Sequence, residues 1–207
     1  MDGPVPQPPP LRLWLVRHAA TDWTAEGRYQ GRLDPPLSAA GRQEAAALAD
    51  TLAVRPIGVV ISSPLGRALA TARTIATATG AMLRVDDRLV EIAYGGWEGL
   101  TQVEVKARFP DELRRWKRTP ATARPPEGET LAEARARLEA VVAELPALAD
   151  GAGEIAVVTH DLLIRLALLM ANGEGLERVR SIAVAPASAH PLLLRGTRLA
   201  PAAASVR

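Results

Sequence analysis

The chain alternates short apolar runs with longer stretches whose apolar residues recur at helical spacing. Three runs, at 11–16, 57–61 and 155–159, are rich in aliphatic residues and bounded by polar segments, which predicts buried strands. A shorter strand is predicted at 83–85, and two further strand candidates fall between 181 and 194. These β-rich runs disfavour an all-helical fold.

Helical segments separate the predicted strands. Ser38 is a good N-cap for an alanine-rich helix that runs to about residue 54. Pro64 suits the first turn of a second helix, which Gly80 ends. Two more helices are predicted at 129–145 and 162–171. Strands that alternate with helices in this way predict an α/β fold with a mostly parallel sheet.

Two segments depart from this alternation. Residues 95–128 form short amphipathic pieces with several prolines, where a cap over the sheet would be inserted. Residues 1–10 contain five prolines, which predicts a disordered N-terminal tail without the features of a signal peptide. The length of 207 residues then favours a single domain over 11–207.

Composition narrows the classes of function. The formal net charge is only +2 and Phe109 is the sole phenylalanine, so neither a basic surplus nor aromatic platforms indicate nucleic-acid binding. No apolar run approaches the roughly 18–20 residues that span a bilayer. The chain has no cysteine, which excludes disulfides and thiolate catalysis and suits a reducing compartment. We therefore expect a cytoplasmic protein that binds neither membranes nor nucleic acids.

Chemically active side chains follow the three strongest strands. Arg17 and His18 follow the first, Arg67 falls in the first helical turn after the second, and His160 follows the third. Because ligands of open α/β sheets bind beyond the carboxyl ends of the strands, these four residues are expected to meet at one edge.

Such a site suits a phosphoryl group. Arginine forks and helix N-termini bind phosphate oxygens, and a neutral imidazole can attack phosphorus to form a phosphohistidine. Nearby arginines lower the pKa of that imidazole, and a second imidazole, if protonated, can stabilise the equatorial oxygens. The leaving alkoxide needs an acid, for which Glu91, Glu98 and Glu129 are the candidates.

Five segments, in order over residues 11–195, resemble the histidine phosphatase superfamily, whose members include the phosphoglycerate mutases. The segments are LVRHAATDW with GRYQGRLDPPLSAAG, SSPLGRALATA, LVEIAYGGWEGLT, PPEGETL and VVTHDLLIR. The resemblance implies a three-layer αβα sandwich of the phosphoglycerate mutase type, with a mostly parallel central sheet and a small cap.

The resemblance also implies roles for individual residues. Arg17, His18, Arg67 and His160 correspond to the phosphate pocket, with His18 as the nucleophile. Glu91 corresponds to the proton donor. Three further residues are expected to bind or flank the substrate: Thr24, Arg28 and Glu129. Glu129 is expected to orient an arginine or a water molecule, and Trp97 and Trp116 fall in the expected cap.

Three positions depart from the family pattern. Ala19 stands where a glycine usually follows the nucleophile, and Thr24 stands where many relatives have an asparagine. Asp161 replaces the glycine after the second histidine, which brings a carboxylate close to an anion site. We expect its side chain to point away from the phosphate or to cap the next helix.

The resemblance predicts a phosphomonoesterase that hydrolyses a small phosphorylated metabolite, without metal or other cofactor. Dinucleotide-binding, Walker A, serine-elbow and paired-histidine metal motifs are all missing from the sequence. Two alternatives stay open: a phosphoglycerate-type mutase, and a phospholigand-binding protein without turnover. A homodimer is also left open.

Overall fold

A computed structural model describes residues 10–202, which form a six-stranded sheet with helices on both faces. The strands are β1 (Leu11–Arg17), β2 (Ile57–Ser62), β3 (Met82–Val85), β4 (Glu154–Thr159), β5 (Ala189–Arg195) and β6 (Arg198–Pro201). Their order across the sheet is β3-β2-β4-β1-β5-β6. The first four are mutually parallel, whereas β5 runs antiparallel to both β1 and β6. The predicted α/β class and mostly parallel sheet are confirmed.

Seven α-helices and three short 3₁₀ helices lie between the strands of the described chain. The α-helices are α1 (Asp22–Glu26), α2 (Ala39–Leu52), α3 (Gly66–Thr79), α4 (Gln102–Arg108), α5 (Pro110–Arg118), α6 (Leu131–Leu148) and α7 (Asp161–Asn172). The 3₁₀ helices are Asp87–Leu89, Gly95–Trp97 and Leu176–Ser181. None of the helices in the part of the chain that the structure describes is long and apolar enough to cross a bilayer.

The core is divided by the sheet because successive strand side chains point to opposite faces. On one face, Trp14 and Val16 of β1 pack with the alanine-rich helices α2 and α3. On the other face, Leu13 and Leu15 pack with α6, α7 and the 95–128 segment. This arrangement gives the three-layer αβα sandwich.

Some predicted boundaries are wrong. Of the two strands expected between 181 and 194, only β5 begins there, and the last strand lies beyond that range at Arg198–Pro201. The expected loop after β1 contains the short helix α1, which Thr21 caps with its side chain. Of the predicted disordered tail at 1–10, all but Pro10 lies outside the described residues.

The segment at 95–128 packs over one end of the sheet. It contains the 3₁₀ helix Gly95–Trp97 and the helices α4 and α5. Trp97 is fully buried in the core, and Trp116 packs edge-on against it with ring centroids 5.9 Å apart. Aromatic packing of this kind attaches the segment firmly to the main core.

Candidate active site

The carboxyl ends of β1, β2 and β4 open into one cavity of about 430 Å³. His18 directly follows β1, Arg67 lies in the first turn of α3, and His160 is the N-cap residue of α7. The His18 and His160 rings meet edge to face, with centroids 5.1 Å apart. The four residues predicted from strand ends therefore converge in space.

His18 is held in one orientation and in its neutral form. Its Nδ1 lies 2.8 Å from the carbonyl oxygen of Ala19, and Arg67 Nε donates to its Nε2 at 3.3 Å. A carbonyl can only accept, so Nδ1 carries the proton and Nε2 keeps its lone pair. Burial, together with the nearby positive charges of Arg67 and Arg17, lowers the pKa of His18 from 6.5 to about 3. An imidazole in this state has the protonation that a nitrogen nucleophile requires at neutral pH.

Arg67 is fully buried and anchored by the loop before α2. Its Nη1 donates to the Leu33 carbonyl at 2.7 Å and to Asp34 at 3.2 Å, and its Nη2 donates to the Gly31 carbonyl at 2.8 Å. Gly31 has φ of 51°, and a Cβ there would overlap the Glu98 carboxylate. These contacts fix the guanidinium and leave one Nη2 proton without a partner for a ligand.

Arg17 and His160 each present a buried nitrogen without a hydrogen-bond partner among residues 10–202. In Arg17 it is Nε, while Nη1 donates to the Val184 carbonyl at 2.6 Å. In His160 it is Nδ1, while Nε2 lies 2.8 Å from the Ser63 hydroxyl. Buried polar atoms are rarely left unpaired, so an anion with several acceptor oxygens fits this place.

The second imidazole is neutral in this structure. Burial, followed by the neighbouring His18 ring and Arg67, holds the pKa of His160 well below its ordinary value. The sequence-based expectation that a protonated His160 stabilises the equatorial phosphoryl oxygens therefore does not fit this low pKa. A neutral imidazole still donates one N–H, which is enough for a hydrogen bond to a phosphate oxygen.

Glu91 has the environment of an acid. Its side chain lines the cavity and is only 6% exposed, and it accepts the backbone N–H groups of Ile92 at 3.0 Å and Leu162 at 3.4 Å. Burial raises the pKa of Glu91, and the negative charge of Asp161 adds to that effect. A carboxyl that holds its proton in a dry site can deliver it to a leaving group.

Asp161 corrects an expectation from the sequence. Its side chain neither points away nor caps α7, because the N-cap residue is His160 and makes no side-chain cap bond. Asp161 instead lines the cavity. Its carboxylate lies 2.8 Å from Arg165 Nη2, one turn along α7, and 3.7 Å from Arg17 Nη1. These cations offset the repulsion that an unpaired carboxylate would exert on a bound anion.

The other two positions that depart from the family pattern are Ala19 and Thr24. The Ala19 methyl is buried against Leu37 and Ala45 rather than lining the cavity. Thr24 does line the cavity, but its hydroxyl accepts from the Thr21 backbone N–H and from Gln30 Nε2, both at 3.1 Å. The same hydroxyl lies 3.2 Å from the Thr21 hydroxyl, which can take its proton, so Thr24 lines the cavity without a donor reserved for a ligand.

Of the two remaining residues predicted for the site, Arg28 and Glu129, only Arg28 lines the cavity. Arg28 lines the cavity and donates to the Gly99 carbonyl at 2.8 Å, which links α1 to the 95–128 segment. Glu129 is not among the residues that line the cavity. Its carboxylate lies 2.8 Å from Arg137 Nε and 3.3 Å from Arg32 Nη2. The surroundings of Glu129 therefore fit the expected role of orienting arginines rather than direct contact with a ligand.

Sequence reasoning left several cavity residues out of the predicted site. Tyr29, Tyr94 and Trp116 form an aromatic wall, with centroids 4.9 Å apart for the tyrosines and 6.2 Å apart for Tyr94 and Trp116. Arg165 and Arg180 add two cations. Two of these cavity residues carried a signal in the sequence: Trp116 falls in the expected cap, and Arg165 lies four residues after Asp161 on a predicted helix. Glu98, by contrast, accepts backbone N–H groups of Arg32 and Tyr94 and does not line the cavity.

The chain has clear similarity to known proteins. A family model described as "Histidine phosphatase superfamily (branch 1)" matches residues 13–202. Phosphoserine phosphatase 1 of Hydrogenobacter thermophilus is 39% identical over 135 residues, which is 65% of this chain and 64% of that protein. Glucosyl-3-phosphoglycerate phosphatase of Mycobacterium tuberculosis is 41% identical over 136 residues, which is 66% of this chain and 60% of that protein.

A solved structure agrees with this relation. A mycobacterial glucosyl-3-phosphoglycerate phosphatase in complex with VO3 superposes with a TM-score of 0.81 at 32% identity, over 88% of this chain and 90% of that one. The matched stretch nevertheless spans less than two thirds of the length of the two curated relatives.

Proposed function

This chain belongs to the histidine phosphatase superfamily, and from that premise we propose that it hydrolyses phosphomonoesters of small metabolites through a phosphohistidine intermediate. The observation that carries this proposal is the state of His18. Its Nδ1–H is held by the Ala19 carbonyl, and its Nε2 lone pair, which accepts from Arg67 Nε at the cavity, becomes available when a phosphoryl oxygen takes over that N–H. That is the tautomer and position that a nucleophile for phosphorus requires.

In the first step, His18 Nε2 attacks phosphorus and forms a P–N bond while the P–O bond to the alcohol breaks. The electron pair of the breaking bond goes to the alcohol oxygen, which takes the proton of Glu91. The alcohol leaves, and Glu91 becomes a carboxylate. The raised pKa of Glu91 supports this role, because the acid must hold its proton until the bond breaks.

In the second step, a water molecule attacks the phosphohistidine. The Glu91 carboxylate takes a proton from that water as its oxygen bonds to phosphorus, and the P–N bond returns its electron pair to Nε2. Inorganic phosphate, neutral His18 and protonated Glu91 result. The cycle thus restores every group to its starting state.

The remaining site residues bind the substrate or hold the binding groups in place. Arg17 and Arg67 supply the positive charge that balances its oxygens, so this mechanism does not call for a metal ion. His160 offers the N–H of its unpaired Nδ1, and Thr24 lines the cavity with its hydroxyl held by Thr21 and Gln30. Arg28 binds at the alcohol side of the cavity, and Glu129 keeps Arg32 and Arg137 in place.

The size and location of the cavity support a small substrate. A cavity of about 430 Å³ lies within the range that small-molecule ligands occupy. The two curated relatives are named for phosphoserine and glucosyl-3-phosphoglycerate, both small phosphorylated metabolites. We propose that residues 95–128 act as the cap that faces the alcohol portion, and that the protein works in the cytoplasm, as its lack of cysteine suggests.

A panel of phosphomonoesters, p-nitrophenyl phosphate included, tests the activity. We expect phosphate release, together with an acid-labile, base-stable phosphoenzyme in rapid-quench samples. Ester binding without either product would favour a phospholigand-binding protein, an alternative to which the Asp161 carboxylate at the cavity lends some support. Conversion of 3- to 2-phosphoglycerate faster than phosphate release would favour a mutase.

A further inference from the structure

The cavity extends well beyond the phosphate pocket. Besides His18 and Arg67, the residues that line it include the aromatic wall of Tyr29, Tyr94 and Trp116, and Arg180. Arg180 belongs to the 3₁₀ helix Leu176–Ser181, which has no counterpart among the residues predicted from the sequence. A bound phosphomonoester would place its phosphate at the histidines and its alcohol portion toward this far end.

The arginines that line the cavity differ in how their charge is balanced. Four of them have a carboxylate within 4 Å: Arg17 and Arg165 share Asp161, Arg67 is paired with Asp34, and Arg28 is paired with Glu26 and Glu104. Within residues 10–202, Arg180 has no carboxylate at that distance. Among the arginines that line the cavity, Arg180 is the one whose charge no carboxylate of the described chain balances.

Arg180 is nevertheless held in place. Its Nη1 donates to the carbonyl oxygen of Lys117 at 2.9 Å, which fastens it to the end of α5. That single bond uses one of the five N–H donors of the guanidinium. The side chain is exposed and oriented by the cap, and its remaining donors are available at the cavity.

We propose that Arg180 forms a second anion subsite, which binds a carboxylate on the alcohol portion of the phosphomonoester. The inference rests on the proposed phosphomonoesterase function and specifies its substrate class. A carboxylate fits better than a second phosphate, because one guanidinium fork matches one carboxylate in charge and geometry. The phosphate pocket, by comparison, uses two arginines and two histidines for its single phosphoryl group.

Non-hydrolysable ligand pairs test this subsite without turnover. We would measure, by calorimetry, the binding of ω-phosphonocarboxylates with two to five methylene groups and of alkylphosphonates of the same length. Each pair differs only in a carboxylate against a methyl group. For the chain length that spans the cavity, we expect the carboxylate to tighten binding about fivefold, as one partly exposed ion pair would.

Two variants separate charge recognition from support of the cap. Arg180→Gln retains an N–H for the Lys117 carbonyl but no charge, so we expect it to lose the carboxylate preference and bind alkylphosphonates as before. Arg178→Gln is the matched control, since Arg178 lies on the same 3₁₀ helix, pairs with Glu174 at 3.5 Å and does not line the cavity. It should keep the preference.

Three results would overturn the subsite: equal affinities within every pair for the native protein, equal weakening of both ligands by Arg180→Gln, or the same loss in Arg178→Gln. Binding is measured separately from phosphate release. A carboxylate preference that depends on Arg180 in a protein without turnover would therefore sustain the subsite and reject the phosphatase. Turnover without that preference would do the opposite.

Discussion

The two ends of the cavity are built in different ways. At the phosphate end, His18 and Arg67 are 3% and 0% exposed and come from strand ends and the first turn of α3. At the end that we propose to face the alcohol, Gln102 and Arg180 are exposed and come from the 95–128 segment and a 3₁₀ helix. His18 and Arg67 are each held by several hydrogen bonds, whereas the Arg180 side chain makes a single one.

This difference separates chemistry from recognition. Phosphoryl transfer needs groups fixed to a fraction of an ångström, which buried strand ends provide. Recognition of the alcohol tolerates a more adjustable surface, and exposed positions can change without loss of the core. Substitutions at the phosphate end should therefore reduce turnover of every ester, and those at the alcohol end should change which ester is preferred.

The largest effect is expected for His18→Ala. It removes the atom that forms the P–N bond, so we expect kcat/KM to fall at least about 1000-fold for every active ester. His190→Ala is the matched control, because His190 lies on β5 beside Ser188 and away from the cavity. A substantial residual phosphoenzyme signal in His18→Ala would show that another residue is the nucleophile.

Glu91→Gln should give the next largest effect, and an uneven one. We expect kcat to fall about 100-fold for alkyl esters, whose alkoxide must be protonated, and less than about tenfold for aryl phosphates. Parallel assays on an alkyl ester and on p-nitrophenyl phosphate measure both losses. Equal losses on the two substrates would argue against Glu91 as the acid.

Acid sensitivity of folding should be concentrated at the phosphate end. The pKa of His18 is about 3 in the folded protein and about 6.5 when unfolded, so its contribution to stability is present above 6.5 and is lost as the pH falls toward 3. The loss is about 1.4 kcal/mol per pH unit. We expect the unfolding free energy of His18→Gln, from urea titrations between pH 7 and 4, to fall less steeply. An unchanged slope would contradict the assignment.

The smallest effect is expected for Asp161→Asn. The Asp161 charge contributes to the raised pKa of Glu91, while Arg67 acts in the opposite direction. Because Glu91 must be protonated in the first step, loss of that charge should shift the alkaline limb of the kcat/KM profile to lower pH. We expect about a two- to threefold loss on the alkaline side of the optimum and little change at lower pH. A uniform loss across pH would indicate a role in binding alone.

Much of the phosphate end was predictable from single residues. Apolar runs end directly before His18 and His160, and parallel strands bring their carboxyl ends to one edge, so convergence followed from pattern alone. The environment of Asp161 was not predictable in the same way. The orientation of Asp161 depends on Arg165, one turn later on α7, and on Arg17 at the end of β1. Only the folded structure brings these three groups together.

The alcohol end shows where sequence reasoning lacked information. Residues 95–128 were expected to form a cap that contains both Trp97 and Trp116, but no pattern distinguished Trp116, which lines the cavity, from Trp97, which is buried in the core. Arg180 lies one residue before the segment where strands were predicted, on a 3₁₀ helix that no periodic pattern indicated. Short irregular elements are positioned by what they pack against, which local sequence does not encode.

Periodicity and ordered motifs are local properties, so the α/β class, the positions of His18 and His160 at strand ends and the resemblance to a family could be predicted from the chain alone. The lowered pKa values of His18 and His160, the raised pKa of Glu91 and the unbalanced charge of Arg180 emerged only from the folded structure. Each of these depends on burial and on charges that are distant in the chain but close in space. The phosphate chemistry that we propose thus rests on residues recognisable in the sequence, whereas the proposed preference among esters rests on tertiary contacts.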